Sequence, residues 1–168
     1  NLGLDLKGGI NAILQVSVKE VLKSLANDSQ NESFNNALNT ADGRQKKSNS
    51  NYLDLFFEEF EKIAGTTKLS DPAIFGTKAL SEKIKFNEAN ATVKETLQEE
   101  INSSIVTTLE VLRSRIDKFG VSSPKIQRIG NSGRIQIELP GARDIERVTK
   151  LITSKAELQF WEVHTNAE

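Results

Sequence analysis

Between Ala91 and Phe119 apolar residues return every three or four positions: Val93, Leu97, Ile101, Ile105, Leu109, Leu112, Ile116 and Phe119. That spacing predicts a single helix about 43 Å long at 1.5 Å per residue. A small sheet cannot cover such a length, so the first half of the helix must pack on helical segments that precede it. Gly120 supplies a left-handed stop, and Pro124 prevents continuation. Everything else in the chain is short and must be arranged about this helix.

Downstream, residues 125–129 and 134–139 read as a hairpin around Gly130-Asn131-Ser132-Gly133. Ile135, Ile137 and Leu139 alternate with Arg134, Gln136 and Glu138, the period of a half-buried strand. Pro140-Gly141 ends it, and Asp144 is placed to cap a helix with Ile145, Val148, Leu151 and Ile152 inward. Glu157 to Val163, with Phe160 beside Trp161, reads as the last strand. At the other end of the chain Ile10, Ala12, Leu14 and Val16 share one face of a strand over 9–17, opposite Asn11 and Gln15. The order predicts an α+β fold: a ferredoxin-like split β-α-β-β-α-β sheet with a largely helical insertion after the first strand. Right-handed crossovers would put both main helices on one face of a four-stranded antiparallel sheet. The expected division is residues 1–18 and 91–168 for the sheet domain and 19–90 for the insertion.

Within the insertion, Ser17 is placed to cap a short helix bearing Val18, Val21, Leu22 and Leu25 on one face. Residues 27–51 are rich in Asn, Ser, Gln and Lys and include Gly43; they read as a mobile link or short helix fragments with too few apolar residues for a core. Tyr52 to Ala64 is helical, with Leu53, Phe56, Phe57, Phe60 and Ile63 in a stripe and Gly65 as the stop. Such a stripe is first of all a core face. Phe56, Phe57 and Phe60 are also the candidate surface for a hydrophobic peptide or a partner. Ser70-Asp71-Pro72 looks like a further helix entry, with Ile74, Phe75, Leu80, Ile84 and Phe86 available for burial over 73–87.

Several chemistries are excluded by composition. The 22 Lys and Arg nearly balance 23 Asp and Glu, so no basic field exists to draw nucleic acid or an anionic surface. There is no cysteine, and His164 is the single histidine, near the end of the sequence. No catalytic residue, cofactor site or metal site is therefore expected. Glu58, Glu59, Glu61, Glu99 and Glu100 read as wet helix faces. Lys7-Gly8-Gly9 lacks the spacing of a phosphate loop and precedes a strand. The strand Arg134 to Glu138 has no aromatic with which to stack RNA bases. Arg113, Arg115 and Lys118 are placed to favour the negative end of their own helix dipole. No apolar run approaches the roughly 18 residues of a membrane span.

The first strand is entered through Gly3-Leu4-Asp5-Leu6-Lys7-Gly8-Gly9, where Gly8 and Gly9 permit a tight geometry and Asp5 can hold the turn locally. These residues resemble the GLDLxGG motif of the SecD family, the membrane-embedded auxiliary subunit of bacterial protein export. Leu112 to Pro124 resembles its LRxRxxxxGVxxP, followed here by Gln127-Arg128. Arg134 to Gly141 resembles RIxVxLPG, and Ala156 to Phe160 resembles A-x-L-x-F. The resemblance covers residues 1–18 and 96–163 and leaves the middle of the chain unmatched. It implies a non-enzymatic, extracytoplasmic domain of a SecD or fused SecDF protein at the bacterial inner membrane. That domain would assist proton-gradient-driven export, coupling movement of membrane helices to handling of an unfolded preprotein. The implied partners are SecF, or a fused SecF half, and the SecYEG channel; the implied coupling turn is Gly3 to Gly9. The motif's usual place just after a span, and a sequence that starts without Met, imply a piece of a longer membrane protein. Proton-carrying groups would lie in its spans and not in this chain. The alternative is a ferredoxin-like regulatory or oligomerisation module with no substrate handling.

Overall fold

The structure, a computed structural model, describes residues 9–130, 133–142, 144–153 and 161–165. Strands β1 (Ile10–Val16), β2 (Lys125–Arg128), β3 (Arg134–Leu139) and β4 (Trp161–Thr165) make one antiparallel sheet in the order β2-β3-β1-β4. The strand β1 is internal. It pairs with β3 from Ile10 opposite Leu139 to Gln15 opposite Arg134, and with β4 from Ala12 opposite Thr165 to Val16 opposite Trp161. Successive side chains on a strand point to opposite faces. The alternation seen in the sequence therefore buries Ile10, Ala12, Leu14 and Val16 together with Ile135, Ile137 and Leu139. The fold is α+β.

Helices α1 (Val18–Leu25), α2 (Glu32–Gln45), α3 (Tyr52–Ile63), α4 (Asn90–Phe119) and α5 (Ile145–Thr153) complete the elements. The chain divides into two compact units: Asn1–Ser17 with Ser104–Glu168, and Val18–Ser103. The first holds the sheet, α5 and the second half of α4, whose Leu112 and Ile116 are buried, as are Val148 and Ile152 of α5. Gly120 has φ +78, the left-handed stop expected there. Arg147 accordingly has Asp144 Oδ1 as acceptor for its N–H at 3.1 Å, so Asp144 caps α5. The final strand expected over 157–163 lies partly outside the described residues.

In the helical unit two sequence expectations need correction. Residues 27–51 are not a loose link, because α2 occupies most of them. Asn31 caps it, its Oδ1 accepting from the Phe34 N–H at 2.9 Å. Phe34, Ala37, Leu38 and Ala41 form a buried stripe. Two of these four are alanines, so the stripe is narrow and the polar residues around it dominate the composition. Nor do residues 73–87 form a helix: only Lys78–Leu80 makes a 3-10 turn. Asp71 Oδ1 accepts from the Ala73 N–H at 2.8 Å, and the Gly76 N–H returns to Asp71 O at 3.0 Å. A Cβ on Gly76 would stand 2.1 Å from Ser70 O, so the chain closes on itself where a helix would have to run on. Ile74, Phe75, Leu80 and Ile84 are buried as expected, whereas Phe86 is 90% exposed.

The core of this unit is aromatic. Phe34 meets Phe56 and Phe75 edge-on, with centroids 5.7 and 5.5 Å apart, and Phe56 lies 6.0 Å from Phe60. The first half of α4 joins it through buried Val93, Leu97 and Ile101. Lys94 Nζ is 2.7 Å from Asp54 Oδ1 and 4.8 Å above the Phe57 ring. Asn90 links Glu61 of α3 to the backbone of Leu69.

Candidate functional site

Of the entry turn, Gly3, Leu4, Asp5, Leu6, Lys7 and Gly8 lie outside the described residues. Gly9 is described, and it stands where the last residues of β3 turn away. A Cβ there would meet Leu139 O at 3.4 Å and Pro140 Cα at 3.5 Å. One residue later Ile10 makes the first β1–β3 rung. Gly9 therefore leads directly into a strand bonded on both sides. In antiparallel pairs the inter-strand hydrogen bonds run perpendicular to the strands, and β1 makes them to both β3 and β4. At the far end of β1, the Val16 N–H donates to Gly133 O at 2.8 Å.

The arginines of the Leu112 to Pro124 segment do something the sequence reading missed. Arg115 is only 8% exposed, and its Nη1 donates to Ile152 O at 3.2 Å. Carbonyls in the last turn of a helix lack intrahelical donors and carry partial negative charge. The guanidinium thus caps α5, a different helix from the one that carries it. Arg113 Nη2 reaches Ile126 O of the edge strand β2 at 3.4 Å. The available signal was position: Arg115 falls between Leu112 and Ile116 on the apolar face of α4. Phe119, also on α4, lies 5.4 Å from the Arg147 guanidinium of α5.

On α3, Phe56 and Phe60 are fully buried in the aromatic cluster and Phe57 is half-buried under Lys94. In this conformation the first two rings face core and not solvent. The wet side of α3 carries an ion-pair group instead. Arg44 Nη1 lies 2.9 Å from Glu58 Oε2 and 2.8 Å from Glu59 Oε1, and Lys62 Nζ is 3.1 Å from the same Glu59 oxygen. Lys62 and Arg44 hold the Glu59 carboxyl below the usual carboxylate range, and Glu58 with Glu59 raises Arg44. The Tyr52 hydroxyl donates to Leu38 O at 2.8 Å; burial, then Asp42 and Glu20, pushes its pKa well up and keeps it a donor. These contacts join α2 to α3 and serve structure.

The polar face of the sheet carries a side-chain chain: Gln127 Nε2 donates to Gln136 Oε1 at 3.2 Å, and Gln136 Nε2 to Glu138 Oε1 at 3.1 Å. Among the described residues no group of three His, Cys, Asp or Glu could hold a metal ion. No helix among them is long and apolar enough to cross a membrane.

Against known proteins, the sequence has clear relatives. Residues 105–165 match the family described as protein translocase subunit SecDF, P1 domain, N-terminal. The protein translocase subunit SecD of Rhodothermus marinus is 35% identical over 95% of this chain and 25% of its own length. Those of Aquifex aeolicus and Escherichia coli are 32% and 27% identical, over 95% and 99% of this chain and 31% and 27% of theirs. No solved structure matches. The domain is thus that of a protein translocase subunit, in a class of proteins that are not enzymes. The chain is similar to the SecD family, and its residues 105–165 match that family's P1 domain. It spans about a quarter to a third of the length of the relatives it matches.

Proposed function

We propose that this chain is the extracytoplasmic domain of a Sec translocase auxiliary subunit in the bacterial inner membrane. It assists proton-gradient-driven export of preproteins by coupling membrane-helix movement to handling of the unfolded substrate. SecF, or a fused SecF half, and the SecYEG channel are its partners in this reading. The observation that carries it is the joint at Gly9. The family motif Gly3 to Gly9 ends where an internal strand begins, and Ile10 is already paired. Motion of a preceding membrane helix would reach the whole sheet through that joint. We read the sheet as a ferredoxin-like base; its order β2-β3-β1-β4 and its α4 and α5 connections support this.

The test uses inner-membrane vesicles from cells depleted of their own SecD and supplied with the full-length protein. Export of a secretory protein into the vesicles should rise, and the rise should vanish when the proton gradient is collapsed. No rise, or a rise indifferent to the gradient, would overturn the proposal.

A further inference from the structure

Helix α4 is continuous from Asn90 to Phe119, yet its middle is made of residues that form helices poorly. Glu95 to Ile101 reads ETLQEEI and Leu109 to Arg115 reads LEVLRSR, each mostly Glu, Gln, Leu and Arg, which favour helices. Asn102 to Thr108 reads NSSIVTT, with none of those and four β-branched residues in a row. β-branched side chains lose rotamer freedom against the preceding turn, and Ser and Asn draw the backbone into competing hydrogen bonds. Packing of an apolar face normally offsets poor propensity. Here the buried row Ile101, Ile105, Thr108 and Leu112 includes a hydroxyl. Thr108 Oγ1 donates to Ser104 O at 2.6 Å, one turn back in the same helix. Such a bond competes with the helical N–H for the carbonyl, which weakens a helix and bends it.

The weak stretch coincides with the boundary between the two units, which α4 crosses from Ser103 to Ser104. On either side of it the helix is tied to its own unit. Lys94 pairs with Asp54 and Glu100 with Lys83 before the stretch; Arg113 and Arg115 donate to Ile126 O and Ile152 O after it. The other crossing is a single residue, Ser17, between β1 and α1. Its sheet side is held, because the Val16 N–H donates to Gly133 O at 2.8 Å. A Cβ on Gly133 would stand 3.2 Å from Val16 O, so the hairpin closes tightly on the end of β1. A change in the orientation of one unit against the other must therefore be taken up at Ser17 and within α4. We propose that Asn102 to Thr108 is a flexure, a helical segment that bends and re-forms so that the two units can reorient. The inference concerns the domain alone and is independent of the export role proposed above.

The experiment places nitroxide spin labels at Glu95 and Lys118, both exposed on α4, in the full-length protein with any cysteine outside this chain replaced by serine. A straight helix would hold these positions about 34 Å apart, at 1.5 Å per residue. The distance measured between the labels should instead be broadly distributed and reach shorter values. Ser103→Ala with Thr107→Ala, both at exposed positions, should narrow the distribution at least about twofold, and Ser103→Gly with Thr107→Gly should broaden it. Amides from Ile105 to Leu109 should exchange at least about tenfold faster than those from Leu97 to Ile101 and from Leu112 to Ile116. The alanine variant should slow that exchange about fivefold. A narrow distribution at the straight-helix distance, a width that neither pair of substitutions moves, or exchange uniform along α4 would overturn the inference.

Discussion

In the sheet unit the described core is aliphatic, with Ile10, Leu14, Val16, Ile135, Ile137, Leu139, Ile116 and Val148 packed behind paired strands. In the helical unit it is built on Phe34, Phe56, Phe60 and Phe75, held between helices that share no backbone bonds with one another. The first arrangement spreads cohesion over many ladder bonds and medium-sized side chains. The second concentrates it in a few large rings. In the reading proposed above, a part that passes movement on gains from the first, because no single contact carries the load. The named family match, residues 105–165, falls on the sheet unit, while the relatives align through the helical unit as well.

The largest expected effect tests that concentration. Phe34 is fully buried and touches two other rings, so Phe34→Ala should cost about 3–5 kcal/mol, the range for removing a buried aromatic. Amide hydrogen exchange should accelerate in α2 and α3 well before β1 and β3. Equal acceleration in both units would erase the contrast. Next comes Arg115→Met, which keeps the bulk of the stem but strips the Ile152 carbonyl of its donor. Leaving a buried acceptor short costs about 1–3 kcal/mol, and the exchange change should be confined to α4, α5 and the sheet. If α2 and α3 respond as strongly, the units are not separate in stability.

The smallest effect is on the ionic side of the helical unit. The Glu59 carboxyl is held below its ordinary range, so its contribution is present above that range and lost as pH falls through its lowered value. Glu59→Gln should therefore lower the unfolding temperature slightly near neutrality and leave it unchanged at the acid end, as a titration of melting temperature would show. A difference that grows toward acid pH would show that Glu59 is not held as its contacts require.

The same contrast explains what could be read from the sequence. Period-two alternation in β1 and β3 has one meaning, and Gly120 and Asp144 mark the end of α4 and the start of α5 through well-defined turn and cap geometry. α2 was hidden because its buried stripe relies on Ala37 and Ala41, residues that weigh little beside the surrounding Asn and Gln. The segment 73–87 has a helix-like spacing that is interrupted by a closure at Gly76, which depends on Ser70 O being near in space. Arg115 looked like a cap for its own helix because the carbonyl it serves, Ile152 O, is distant in sequence. Phe86 looked like core for a related reason: composition reports that a ring is apolar and not that the turn beneath it faces outward.

The central claim is that movement enters the domain at the joint between the family motif and β1. Inserting a short flexible Gly/Ser segment between Gly9 and Ile10 of the full-length protein would uncouple the two without touching any buried side chain. The measurement is gradient-stimulated export by membrane vesicles carrying this variant. The account predicts that the stimulation disappears while gradient-independent transport and the unfolding temperature of the domain stay at the unmodified level. Undiminished stimulation with the insertion in place would contradict it.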